Sequence, residues 1–102
     1  MSYPRIRQAK AIDAITLLVE FDNQVVKQYD VRKLLANPAF ALLRQPACFK
    51  HFTIAEGGYG LVWNEDLDIS EYELWQYGVT VTDRQLIDAL TKPSLSASGD
   101  RG

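Results

Sequence analysis

The residues best suited to nucleophilic chemistry are the single cysteine and the single histidine of the chain, Cys48 and His51. On a helix, their spacing of three would place both side chains on one face, and a thiolate beside an imidazole is a known nucleophilic pair. Such a pair also needs a group that orients the imidazole and donors that stabilise an oxyanion, and no nearby pattern supplies them. We therefore interpret Cys48 as a small core residue and predict neither a catalytic residue nor a cofactor.

A run of acidic residues at positions 64–68, Asn-Glu-Asp-Leu-Asp, is the second candidate for chemistry. Carboxylates one residue apart can surround a hard cation such as Ca²⁺ or Mg²⁺. The calcium-loop pattern is absent, because the run lacks the glycine of its turn and the carboxylate at its twelfth position. We therefore predict a solvated turn without a metal. A small metal-assisted enzyme that uses Glu65, Asp66 and Asp68 stays as an alternative.

Large aromatic residues are concentrated around the last strand and the helix after it: Tyr59, Trp63, Tyr72, Trp75 and Tyr77. Tyr72 and Trp75 are three positions apart and so lie on one side of that helix. Both residue types are common in protein interfaces. Their neighbours are acidic, which argues against a nucleic-acid ligand. We predict a surface for a small protein partner or a second copy of the chain, made by Tyr72 and Trp75 together with Leu86 and Leu90.

The overall composition is that of one globular domain. The chain has 102 residues, of which 47% are hydrophobic and 24% charged, with a net charge of -2. No apolar run approaches the ~18 residues that span a membrane, and the N-terminus lacks the apolar segment of a secretory signal. With one cysteine, an internal disulfide is impossible. These features predict a cytoplasmic protein with no membrane contact.

Periodicity predicts an α+β fold. Residues 15–21 alternate in polarity as a half-buried strand does, and the segments 5–12 and 25–31, with two more around 52–54 and 59–63, also favour strands. Short links join antiparallel neighbours. We therefore predict a small, mainly antiparallel sheet of about five strands, with two or three short helices, including 38–44 and 70–77, on one face.

Helix-capping signals define the end of the predicted core. Ser70 and Glu73 form a capping box, and Gly78 stands where a glycine would end the helix. Thr82 and Gln85 repeat the box before a second helix. The spacing predicts a core domain over 1–79, an appended helix over 80–92 and a disordered tail over 93–102.

The predicted core collects the apolar residues of these elements: Ile15, Leu17, Val19, Phe21, Tyr29, Leu34, Phe40, Leu43, Phe49, Phe52, Leu61, Trp63, Ile69 and Leu74. The appended helix carries its own stripe, Leu86, Ile87 and Leu90, and is too short to be stable alone. The stripe must cover its own sheet or a second subunit. We favour a two-fold dimer, because a small domain has difficulty covering its apolar surface.

The order and spacing of these pieces resemble DUF2442, a family of small bacterial proteins of unknown function. The resemblance covers about residues 3–78 and is carried by segments 4–6, 17–23, 29–31 with 34–35, 40–50, 59–63 and 66–70. Two departures stand out. Asn23-Gln24 replaces the usual Asn-Gly turn, and Trp63-Asn64-Glu65 replaces a frequent Trp-Pro-Asn-Gly stretch, so a role tied to that loop does not carry over.

The resemblance implies a compact α+β domain with a small antiparallel sheet. Members are often encoded beside small toxin-like partners, which implies an antitoxin or adaptor role, and some continue into a helix-turn-helix. Only one short predicted helix, from Thr82 to Leu90, comes after the core in this chain, and one helix is not a helix-turn-helix. We therefore predict a non-enzymatic protein-binding module, such as an antitoxin-like partner or regulator. The alternative is a transcription-regulator fragment that has lost its helix-turn-helix.

Overall fold

The computed structural model describes residues 3–91, which form seven strands in two antiparallel sheets. The large sheet has the order β1-β2-β3-β7 and the small sheet the order β4-β5-β6. The strands are β1 (Ile6–Ala11), β2 (Thr16–Phe21), β3 (Val26–Asp30), β4 (Thr53–Ile54), β5 (Gly60–Asn64), β6 (Leu67–Ser70) and β7 (Val79–Thr80). The predicted α+β class is confirmed, but the strands do not make one sheet of five.

The first three strands form the predicted meander. β2 pairs with β1 and β3, and the β2–β3 turn is held by the Val25 N–H, which donates to Asn23 Oδ1 at 3.1 Å. Gln24 in this turn has a φ of 72°, the only positive φ among the described residues other than glycine. A side chain there costs about 1–2 kcal/mol.

Within residues 3–91, three α-helices and three 3₁₀ segments connect and cover the sheets. The α-helices are α1 (Pro46–Phe49), α2 (Glu71–Tyr77) and α3 (Arg84–Thr91). The 3₁₀ segments span Val31–Lys33, Pro38–Arg44 and Glu56–Gly58. The predicted helix at 38–44 therefore exists as a 3₁₀ segment. Asn37 caps it by accepting the Ala39 N–H at 3.0 Å, and a kink at Phe40 interrupts it.

The caps of α2 and α3 differ in detail from the prediction. Ser70 Oγ accepts the Glu73 N–H at 3.2 Å, as a capping box requires, but the Glu73 carboxylate bonds elsewhere. Gly78 ends α2 without a left-handed φ. It is needed because a Cβ there would lie 2.5 Å from the Leu74 carbonyl oxygen. Asp83, not Thr82, accepts the Gln85 N–H at 2.9 Å, so the prediction of a second box is wrong.

The central strand β2 buries side chains on both faces of the large sheet. Leu17, Val19 and Phe21 of β2 point into a main core with the small sheet, α1 and α2, while Leu18 points to the opposite side, as strand alternation requires. Nine of the predicted core residues are buried. The other five pack against the main core while partly exposed: Ile15, Leu34, Phe40, Phe52 and Trp63. The prediction placed the helices 38–44 and 70–77 on one face and left the position of the appended helix open between its own sheet and a second subunit.

The apolar stripe of α3 covers this second face. Leu90 is buried together with Leu18, Val26 and Val81, and Leu86 and Ile87 pack against the same cluster. The sequence left two places for this stripe, its own sheet or a second subunit. In the described chain it packs on its own sheet. The last residue assigned to the appended helix, Lys92, and the predicted disordered tail, 93–102, lie outside the described residues.

The helices of residues 3–91 are short. None of them combines the length and apolar character that crossing a bilayer demands.

Candidate binding face around helix α2

A buried tyrosine links the large sheet to α2. Tyr29 of β3 is 1% exposed, and its hydroxyl donates to Glu73 Oε2 at 2.6 Å. Lys33 Nζ lies 3.8 Å from the same oxygen and 4.2 Å from the centre of the Tyr77 ring. Burial, and after it the hydrogen bond to Glu73, raises the pKa of Tyr29 above its ordinary value of 10.0. The link fixes the Glu73 carboxylate beside the body of the domain.

We expect Tyr29→Phe to lower the free energy of unfolding at neutral pH by about 1.5–3 kcal/mol, because it removes a hydrogen bond to a charged group. The unfolded chain releases the Tyr29 proton at about pH 10, whereas the folded chain still holds it. The free energy of unfolding therefore falls as the pH rises past about 10. Urea unfolding at about pH 9 and pH 11 measures the difference. The variant should lose less stability over this interval than the wild type. Tyr72→Phe, at an exposed position, is the control, and parallel profiles for Tyr29→Phe and wild type would contradict the assignment.

A cleft lies between the 3₁₀ segment Pro38–Arg44 and the junction of β6 with α2. Its cavity volume is about 270 Å³. Leu34, Phe40 and Ile69 supply apolar wall, and Asp68 and Glu73 supply two carboxylates. Ser70 completes the lining while its oxygen caps α2. The cleft therefore combines an apolar wall with negative charge.

Three exposed tyrosines surround the start of α2. Tyr3, Tyr59 and Tyr72 are 39%, 51% and 42% exposed. The rings of Tyr3 and Tyr72 meet edge to face with centroids 4.8 Å apart, and the Arg5 guanidinium lies 4.1 Å from the centre of the Tyr59 ring. The backbone joins the same elements, since the Glu71 N–H donates to the Tyr59 carbonyl at 2.9 Å. We call these three residues and Arg5 the tyrosine surface.

Gly58 brings the two halves of the tyrosine surface together. Its φ is 78°, and a Cβ there would lie 2.5 Å from the Ile6 carbonyl oxygen and 2.9 Å from Arg5 Cβ. The loop before β5 can approach β1 this closely only because residue 58 has no side chain. Arg5 is thereby held near Tyr59.

The structure separates the four residues predicted as a partner interface. Tyr72 belongs to the tyrosine surface, whereas Trp75 is partly buried against Phe21, with ring centroids 5.2 Å apart. Lys27 covers the Trp75 ring at 4.1 Å and donates to its carbonyl at 2.7 Å. Leu86 and Leu90 belong to the cluster on the second face of the large sheet. The four residues thus form no continuous surface in the described chain.

The other candidates for chemistry are the pair Cys48 and His51 and the acidic run at 64–68. The Cys48 thiol donates to Gln45 Oε1 at 3.6 Å, and the exposed His51 meets Cys48 through the backbone, where its N–H donates to the Cys48 carbonyl at 3.0 Å. In the acidic run, Asn64 Oδ1 accepts the Asp66 N–H at 2.8 Å and closes the turn. Within residues 3–91 there is no group of three His, Cys, Asp or Glu side chains placed to hold a metal ion.

Sequence reasoning missed most residues of this face. Local patterns place Tyr3 and Arg5 only at the start of an edge strand, and Leu34 and Phe40 only in the core. The prediction of a solvated turn included Asp68, yet this residue lies on β6 and lines the cleft. The available signal was the alternation Leu67-Asp68-Ile69-Ser70, which is typical of a half-buried strand.

Comparison with known proteins identifies the family. The family model described as "Protein of unknown function (DUF2442)" matches residues 6–80. The chain belongs to the DUF2442 family. The DUF2442 segment begins with β1 and ends with β7, so it holds both sheets and the cleft, while Tyr3 and Arg5 precede it and α3 comes after it. Searches of the curated proteins and of the solved structures found no match.

Proposed function

We propose that this DUF2442 protein is a cytoplasmic, non-enzymatic protein-binding module that contacts its partner through the tyrosine surface. The observation that carries the proposal is the presence of three exposed tyrosines and an arginine around one helix end. Tyrosine and arginine are enriched among the residues that dominate binding energies. A fold with a single cysteine, and therefore without an internal disulfide, suits the reducing cytoplasm.

The tyrosine surface is partly ordered before any partner binds. Tyr3 packs on Tyr72, and Arg5 packs on Tyr59. Immobilising a side chain on binding costs about 0.5–1.5 kcal/mol, and contacts already made within the chain reduce that cost. The surface therefore offers a large aromatic area with a low entropic penalty.

For the partner we propose a small folded protein of the kind that the family resemblance implies, with the chain acting as an antitoxin-like partner or regulator. This fits an interface whose centre is aromatic and whose edge is charged, because that is the usual composition of a protein–protein contact. A second copy of the chain is the other occupant that the experiment below distinguishes.

Site-specific photocrosslinking tests the proposal. A photoreactive phenylalanine analogue replaces Tyr72 in cells of the native host, and the same analogue replaces Gln28 as the control, because Gln28 is exposed on the opposite face of the large sheet. We expect irradiation to join residue 72 to one protein of defined mass, and residue 28 to none. Replacing Tyr59 by Ala in the same chain should abolish the product.

The mass of the product identifies the partner class. A product of the chain with itself would make the partner a second copy, and a heteromeric product would identify a separate protein. Equal products from residues 72 and 28, or none from residue 72, would contradict the proposed surface.

A further inference from the structure

We propose that the cleft beside α2 receives an arginine side chain of the protein partner. The inference rests on the proposed protein-binding function and names one chemical feature of the partner. Its evidence is separate from the tyrosine surface, because it depends on the lining and charge of the cleft formed by Leu34, Phe40, Asp68, Ile69, Ser70 and Glu73.

The size of the cleft suits one long side chain. A volume of about 270 Å³ lies just below the range of about 300–1,000 Å³ in which most small-molecule pockets fall. The cleft is open to solvent, and Asp68 in its lining is exposed. A side chain entering from a partner could reach the wall without any movement of the sheets.

The lining matches an alkyl stem that ends in a cation. Phe40, Leu34 and Ile69 give the methylene groups an apolar wall, while Asp68 and Glu73 provide acceptors for the charged head. Long basic side chains commonly bury their stems in this way and keep the head at a polar edge. The carboxylates and the wall lie in the same cleft, so one side chain can satisfy both.

The carboxylates keep unused capacity for a cation. Tyr29 and Lys33 both approach Oε2 of Glu73, and no hydrogen bond within residues 3–91 ends on its Oε1. The described residues give Asp68 no ion pair, and Lys33 lies 3.8 Å from Glu73 and also near the Tyr77 ring. Within residues 3–91, Lys33 pairs with Glu73 alone, so the cleft keeps a negative charge at Asp68 that a partner can neutralise.

Arginine fits this site better than lysine. Its planar guanidinium carries five donors that can serve two carboxylates at once, it is less strongly hydrated than an ammonium group, and it stacks on aromatic rings. Phe40 supplies such a ring at the wall. A guanidinium is therefore the head group that uses both the charge and the aromatic surface.

Nuclear magnetic resonance titration of the ¹⁵N-labelled full chain tests the inference with a defined probe. The probe is a blocked pentapeptide, Gly-Gly-Arg-Gly-Gly, and its control carries citrulline, which has nearly the same shape without the charge. We expect weak binding with a Kd on the order of millimolar and shifts confined to the amides around Phe40, Ser70 and Glu73. The citrulline peptide should cause none of these shifts.

A pair of variants localises the binding. Asp68→Asn should weaken binding of the arginine peptide about two- to fivefold, because an exposed ion pair contributes up to about 1 kcal/mol. Asp66→Asn removes the same charge two residues away, outside the cleft lining, and should leave the affinity unchanged. Because both positions are exposed, both variants should fold, which their spectra will report directly.

The outcomes separate this inference from the proposed function. An absence of localised shifts, equal shifts with citrulline, or unchanged affinity in Asp68→Asn would overturn the arginine site. None of these results bears on photocrosslinking at residue 72. Conversely, arginine binding in the cleft without any crosslinked product at residue 72 would support the arginine site and contradict partner binding by the tyrosine surface.

Discussion

Replacing Phe21 by Ala will lower the free energy of unfolding by about 3–5 kcal/mol, the range for deleting a fully buried phenylalanine ring. Phe21 is fully buried in the main core, and its ring meets Trp75 of α2 edge to face. The substitution therefore removes a contact between the large sheet and α2 as well as the packing around β2. The cavity cannot close easily, because sheets on one side and helices on the other hold its walls.

Urea unfolding monitored by tryptophan fluorescence measures this loss, with Tyr59→Ala as the matched control. Tyr59 is half exposed and packs on Arg5 at the surface, so its truncation should cost less than about 1 kcal/mol. A loss below about 1 kcal/mol for Phe21→Ala would mean that the Phe21 ring does not pack into the main core.

Gly58→Ala will destabilise the chain by about 2–5 kcal/mol, the sum of a backbone contribution and an overpacking contribution. The positive φ of 78° alone costs a side chain about 1–2 kcal/mol. The added Cβ would also lie 2.5 Å from the Ile6 carbonyl oxygen, and overpacking against atoms that cannot move away adds about 1–3 kcal/mol. Backbone of β1 must therefore shift.

The neighbouring glycine provides the control. Gly57 has almost the same φ, 81°, but its Cβ would meet only the ring of Tyr59, at 2.7 Å. That ring is exposed and can rotate away, so Gly57→Ala should cost about 1–2 kcal/mol for the backbone alone. Thermal unfolding of the two variants gives the comparison, and equal losses would show that the approach to β1 imposes no constraint.

Local signals in the sequence predicted the parts of the fold that depend on neighbouring residues. The alternation of Leu17, Val19 and Phe21 predicted β2, and the Ser70 cap predicted the start of α2; both are confirmed. These features arise from side-chain periodicity and from a hydrogen bond between residues three apart. They need no knowledge of what packs against them.

The division into two sheets could not be predicted in the same way. It depends on β6, whose residues look like part of an acidic turn, and on which strands pair at long range. Leu18 illustrates the limit. The alternation places it on the face opposite Leu17 and Val19, but does not show that α3 covers that face. Alternation assigns a face to each residue but does not tell what lies over that face.

The sequence predicted only the part of the candidate site in which an aromatic residue typical of interfaces is also exposed. Tyr72 was expected at a surface and lies there, while Trp75 three residues away packs between Phe21 and Lys27. The cleft joins residues from three separate segments, and their approach is set by tertiary packing. Tyr3 and Arg5 join the face through Gly58, whose importance is visible only once the distance to β1 is known.

The helix that covers the second face of the large sheet lies beyond the segment that defines the family. The family match ends at residue 80, and α3 begins at Arg84. Leu18 and Val26 belong to the matched segment, so any member that presents apolar residues at these positions needs a cover of its own. In this chain the cover for the second face is supplied by α3, from outside the segment that the family model matches.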